Sequence, residues 1–165
     1  MVVVSNTSPL SNLAIIGRLA LLRDQFGAVL VPSAVRRELN LLRHSGAARL
    51  LDASFGDGWL QVAPLLQPVP AYLGAGFHAG EAEALALASE RRADIVLLDD
   101  GDARRRAVEA GLRISGVLGV LLGARRSGQV PSLREEIRRL RVEARFFVAR
   151  RIENELIAAA GEFQE

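Results

Sequence analysis

Hydrophobic positions fall along this chain in two patterns, short β-branched runs and longer stretches with helical spacing. Val2, Val3 and Val4 form such a run. It breaks into Ser5-Asn6-Thr7-Ser8-Pro9, a cluster of capping and turn residues, and Leu10, Leu13, Ala14 and Ile16 then recur at helical spacing. A buried strand feeding directly into a helix is predicted there. Gly17 interrupts the pattern and residues 18–26 resume it as a second short helix. Residues 28–31 read as a strand, with Pro32 as the first residue of a helix over 33–42. A helix over 44–53, a turn at 56–58 and a short strand over 59–62 follow. The stretch 64–76 contains Pro64, Pro68 and Pro70, and reads as a mobile loop. The remaining pattern predicts a helix over 80–92, a strand over 94–98, a helix over 103–110 stopped by Gly111, a strand over 112–115 and a helix over 117–126. Ser132 and Glu135 have capping-box spacing ahead of Leu133, Ile137 and Leu140, and Ile152, Leu156 and Ala160 mark a last amphipathic helix ending near Gly161.

Strands alternating with helices imply a three-layer α/β/α sandwich around a central, mostly parallel sheet. In such folds ligands gather outside the carboxyl ends of the strands. At 165 residues, half of them hydrophobic, the chain suffices for one substantial core, so a single domain over 1–165 is expected, with 131–165 as a C-terminal helical extension. Its start lacks the basic-then-apolar order of a secretory signal. The apolar run 117–124 falls well short of the roughly 20 residues needed to span a bilayer. No membrane association and a cytoplasmic location are therefore expected. The absence of cysteine removes disulfides, thiolate nucleophiles and Cys-rich zinc sites, and fits a reducing compartment.

All 21 basic residues are arginine, which excludes chemistry that needs lysine, such as P-loop phosphate binding and Schiff bases. A net charge of +2 does not by itself announce nucleic acid, but seven arginines crowd residues 134–151. They suit either phosphate contacts or a solvated helix face. Arg104, Arg105 and Arg106 sit in the first turn of a predicted helix, where positive charge is disfavoured. Neighbouring Asp99, Asp100 and Asp102 or an RNA phosphate would compensate them.

The acidic residues suggest the chemistry. Asn6 follows the first strand, and Asp99 with Asp100 follows the apolar run 95–98, so both groups belong to the same sheet edge. Adjacent carboxylates there repel unless a cation or proton intervenes. Glu38 flanks the buried face of its helix. Glu81 stands in the first turn of another and shares a face with Leu85 and Ala88, whereas Glu83 points elsewhere and groups with Glu90 on the wet side. Such a set suits phosphodiester hydrolysis with Mg²⁺ or Mn²⁺. The two histidines, His44 and His78, are not required, although His78 is able to approach from the mobile loop.

The ordered series Ser5-Asn6-Thr7-Ser8-Pro9-Leu10, Ile16-Gly17-Arg18-Leu19, Pro32-Ser33-Ala34-Val35 through Glu38-Leu39, Gly80-Glu81-Ala82-Glu83-Ala84, Leu98-Asp99-Asp100 and 116–122 resembles a subgroup of PIN domains described as predicted nucleic-acid-binding proteins, similar to VapC-type toxins. The likeness runs from residue 2 to about 140. It implies Mg²⁺ or Mn²⁺ held by clustered acids, cleavage of RNA, frequent homodimers and inhibition by a small antitoxin protein. Matched by position, it makes Asn6, Glu38, Glu81 and Asp99 or Asp100 the catalytic and metal-binding residues, with Thr7 and Ser8 as the accompanying hydroxyls. Thr7, Ser8, Arg104 and Arg105 are then the residues expected to meet RNA. Asn6 departs from the aspartate found in most PIN nucleases: an amide offers a cation a carbonyl oxygen but no charge, and cannot act as a base.

Three functions therefore compete. The first is a metal-dependent ribonuclease, the toxin of a type II toxin–antitoxin pair. The second is a weakened PIN domain that binds RNA or protein without turnover. The third, a phosphatase of the haloacid-dehalogenase type, ranks last, because it requires an aspartate after the first strand and a later lysine. The helix over 117–122 and the helix from Arg150 onward are candidate dimer or antitoxin surfaces, with a core role favoured for the first.

Overall fold

The computed structural model describes residues 1–162. Its sheet has five parallel strands: β1 (Val3–Ser5), β2 (Val29–Val31), β3 (Leu60–Val62), β4 (Ile95–Leu97) and β5 (Ile114–Ser115). Their spatial order is β3-β2-β1-β4-β5, with Val4 level with Leu30 on one side and Val96 on the other. Successive strands step outward from β1 in one direction, then restart at β4 in the other. The switch point of this doubly wound sheet thus lies between β1 and β4, where a crevice opens beyond their carboxyl ends.

Side-chain alternation along each strand divides the core in two. Val3, Val29, Val31 and Leu97 face a layer built from α1 (Thr7–Ile15), α2 (Ala20–Phe26), α3 (Ser33–Asn40), α4 (Ser45–Asp57), α8 (Val117–Arg126) and α9 (Leu133–Glu143). Val4, Val96 and Leu98 face α5 (Ala71–Gly74), α6 (Ala79–Glu90) and α7 (Gly101–Glu109). The α/β/α layering follows from strands that are apolar on both faces. Val117, Val120, Leu121 and Ala124 of α8 are buried, which fixes that helix as core. Leu133, Ile137 and Leu140 of α9 join the same cluster, and α10 (Arg150–Ala159) packs on it through Ile152 and Leu156. Each fully buried leucine contributes about 2 kcal/mol. Among the described residues no helix is long and apolar enough to cross a membrane.

Several local expectations need correction. Pro32 is the N-cap of α3 rather than its first residue. α4 runs through the expected turn to Asp57 and stops at Gly58, whose φ of 85° provides the left-handed C-terminal turn. The proline-rich stretch is partly regular: Pro70 caps α5, and buried Leu73 pins that turn to the core. Only half of the expected capping box forms. Ser132 Oγ accepts from Glu135 N at 3.2 Å, while the Glu135 carboxylate turns to Arg138 at 2.6 Å.

Candidate active site

Asn6 is the first residue beyond β1. Its backbone N–H donates to Leu97 O at 3.0 Å, tying the ends of β1 and β4 together. It occupies the N-cap of α1, yet its side chain makes no capping hydrogen bond. The residue is only 4% exposed, and the buried Oδ1 has no hydrogen-bond partner. An orphaned buried carbonyl costs about 1–3 kcal/mol, so this amide marks a place where the fold tolerates a loss. Asn6, Thr7, Ser8, Ser11, Glu38, His78 and Glu81 line a cleft of about 430 Å³ beyond the strand ends.

Glu38 is fastened from two sides. Thr7 Oγ1 donates to Oε2, and Gly80 N, in the first turn of α6, donates to Oε1 at 3.2 Å. A helix N-terminus favours the carboxylate there. A Cβ at position 80 would stand 2.5 Å from Oε1, so only glycine admits this approach. Glu81 stands in the first turn of the same helix, where the His78 backbone N–H favours its carboxylate. Its carboxyl is nonetheless pushed above the usual glutamate range. Burial is the main cause; the charges of Asp100 and Glu38 add to it, and His78 opposes it.

The two aspartates after β4 part company. Asp99 is fixed by Ser8 Oγ, donating to Oδ2 at 3.0 Å, and by Val117 N, donating to Oδ1 at 2.9 Å. Burial raises its pKa, outweighing the lowering effect of those two donors and of Arg104. Asp99 does not line the cleft. Asp100 caps α7, its Oδ1 accepting from Asp102 N and Ala103 N, each at 3.0 Å, and its charge acts on Glu81. Arg104 donates to Leu98 O at 2.9 Å and Arg105 pairs with Asp102 at 3.3 Å, so both have local partners.

Glu83 does not join Glu90 on a wet face. It is largely buried against α3, accepting from Ala34 N at 3.2 Å and standing 3.8 Å from Arg37. Ser11 and His78 belong to the cleft although neither was expected as a principal residue; the i,i+3 spacing of Ser8 and Ser11 on α1 was the available signal for the first. His44 serves α4, its Nδ1 accepting from Ala47 N at 3.0 Å.

Comparison with known families decides the classification. A family model described as a PIN domain matches residues 2–162, nearly the whole chain and both C-terminal helices. The chain belongs to the PIN-domain family. PIN domains are generally nucleases and typically use divalent metals. Among solved structures, the fold is similar to that of a PilT N-terminus domain protein from the hyperthermophilic archaeon Sulfolobus solfataricus P2. The TM-score is 0.54 at 19% identity, covering 75% of this chain and 93% of that one, which supports the fold. A search of curated proteins finds no match.

Whether this PIN domain suits a divalent ion can be judged from its donors. Apart from the His78 imidazole, the donors of the cleft are oxygen: the orphaned Asn6 Oδ1, the Glu38 carboxylate and the Glu81 carboxylate, with Asp100 close by. That donor set fits Mg²⁺ or Mn²⁺ in kind. Among the described residues, however, no three His, Cys, Asp or Glu side chains already stand grouped to hold a metal. The acids share a cleft without forming a closed cage.

Proposed function

We propose that this PIN domain is a Mg²⁺- or Mn²⁺-dependent endoribonuclease, acting as the toxin of a toxin–antitoxin pair. The observation that carries this reading is the cleft at the switch point, where a buried amide oxygen without a partner sits among carboxylates that have no ion pair among the described residues. Asn6, Glu38 and Glu81 would hold the ion, with Asp100 adding charge. Such an ion, when bound, supplies Lewis acidity: it eases deprotonation of water and neutralises charge growing on the phosphate. Thr7 and Gly80 hold Glu38 in place. The His78 backbone N–H favours the Glu81 carboxylate. Ser8 joins the cleft to Asp99 and so fixes the end of β4 against the start of α1. Thr7 and Ser8 hydroxyls, with Arg104 and Arg105 of α7, are the groups assigned to RNA. A small antitoxin and a second copy of the chain are the protein partners of this reading.

Labelled RNA incubated with Mg²⁺, with EDTA and with Glu38→Gln tests it. Cutting is expected only in the first case; cutting that persists in all three contradicts the mechanism. One observation favours a second reading, a PIN domain that binds RNA or protein without turnover: position 6 carries no charge, and the acids are not pre-grouped for a metal. An inert parent that becomes active on Asn6→Asp selects the second reading, and an active parent excludes it.

A further inference from the structure

A second cavity, of about 550 Å³, opens beside the cleft, between the end of β5, the start of α8 and the segment leading into α10. Its size lies within the roughly 300–1,000 Å³ of small-ligand sites. Asp99 connects the two spaces. Its Oδ2 takes the hydroxyl of Ser8, which lines the cleft, while Asp99 itself lines the second cavity. Gly116 makes the junction possible, since a Cβ there would stand 2.6 Å from Asp99 Oδ1 and 2.9 Å from the Arg104 guanidinium.

The lining is chemically mixed. Asp99, Arg104 and Ser115 supply acceptors and donors, and Leu118, Phe146 and Phe147 supply apolar surface. Each Asp99 oxygen already accepts one bond, and a carboxylate has about four acceptor sites in all. Phe147 is 84% exposed, a large flat aromatic face left to solvent at the edge of a cavity. A free phosphate suits Arg104 but is repelled by Asp99. A purely apolar protein segment would leave Asp99 and Arg104 facing hydrocarbon. A nucleobase matches every part, since its faces stack on an aromatic ring and its edge carries donors and acceptors together.

We infer that this cavity receives one unpaired base of the strand whose backbone lies in the neighbouring cleft, with Phe147 stacking on the base and Asp99 and Arg104 reading its edge. The identity of the strand as RNA rests on the nuclease reading above; the base pocket itself does not require cutting.

The test measures binding in EDTA, by fluorescence anisotropy, to a short labelled single-stranded RNA of mixed sequence and to a matched strand of abasic ribose phosphates. The wild-type chain is expected to prefer the base-bearing strand by roughly 5- to 100-fold, the range of one stacked base. Phe147→Ala should remove most of that preference without weakening abasic binding, and Phe147→Trp should retain it. Phe147 is too exposed to hold the core together, and circular dichroism of both variants checks that they fold. Equal binding of the two strands by the wild type, or an equal loss on both strands in Phe147→Ala, overturns the pocket; a cavity that seats a protein segment gives the first of these results. Cutting in Mg²⁺ without a Phe147-dependent preference removes the pocket and leaves the nuclease. A Phe147-dependent preference without cutting keeps the pocket and removes the nuclease.

Discussion

Glu136 in α9 is buried and Glu38 in α3 is half-buried, and their surroundings differ. Glu136 has Arg18 at 2.7 Å and Arg139 at 3.6 Å, whereas Glu38 has a threonine hydroxyl and a backbone N–H. The contrast extends to their neighbours. Around α9 and α10, Glu153 pairs with Arg141 at 2.6 Å and Glu162 with Arg125 at 2.9 Å. Burial pushes the Glu162 carboxyl up, but the Leu133 and Arg134 N–H groups and Arg125 together hold it below the usual range. In the cleft the sign is reversed, and Glu81 is pushed up with no arginine to offset it. Carboxylates matched by arginine hold helices together; carboxylates that share a cleft without an arginine are available to bind a cation.

The comparison can be broken or sharpened by substitution. The largest effect is expected on the paired side. Arg18→Ala removes the nearer of the two arginines facing the buried Glu136 and leaves Arg139 at 3.6 Å as its remaining cation, so it should lower unfolding free energy by about 3 kcal/mol in urea titration. A loss no greater than that of an exposed pair would show that Glu136 is not held by charge. Asp99→Ala comes next, since it leaves the Ser8 hydroxyl and the Val117 N–H without their acceptor; a loss of about 1–3 kcal/mol is expected. Gly80→Ala should leave stability close to wild type but displace Glu38 and weaken Mn²⁺ binding roughly tenfold, as loss of a positioning contact commonly does. Unchanged Mn²⁺ affinity would remove Glu38 from the ion site.

The smallest effect concerns Glu81, and its sign depends on pH. Because folding raises this pKa, Glu81 contributes stability that is fully present below its unfolded value near 4.5 and is lost as pH rises through the folded value. Glu81→Gln does not ionise. Without metal, it should therefore melt above the wild type near neutral pH, with the difference vanishing in acid, and calorimetry across that range checks the sign. Added Mg²⁺ should reverse the order. A variant that melts below the wild type at neutral pH in EDTA would contradict the repulsion inferred for the cleft.

Much of the scaffold was legible because local pattern and burial agree. The runs at Val3-Val4 and 95–98 are apolar on successive residues, as strands covered on both faces must be, and α8 spans the residues its pattern marks. One boundary failed because two nearby glycines both read as helix stops. Gly56 reads as a turn residue, yet α4 continues through it until Gly58 turns left-handed. The shared cleft of Asn6, Glu38 and Glu81 was legible in part by position, since residues after β1 and β4 must share an edge, and by helical face, since Glu81 and Glu83 diverge. What the spacing does not encode is where each side chain finds its partner. Glu83 caps α3 because α6 lies against it, and Asp99 is drawn to the start of α8 because Val117 N–H stands there. The difference between Asp99 and Asp100, two adjacent and chemically identical residues, exists only once those helices are packed.

Isothermal titration of the metal-free chain with Mn²⁺ at neutral pH tests the central claim most directly. Saturable binding is predicted, weakened at least tenfold in both Glu38→Gln and Glu81→Gln and strengthened in Asn6→Asp, where a charged oxygen replaces the orphaned amide carbonyl. Binding that is absent in every variant, or indifferent to all three substitutions, would contradict the assignment of this cleft as a cation site.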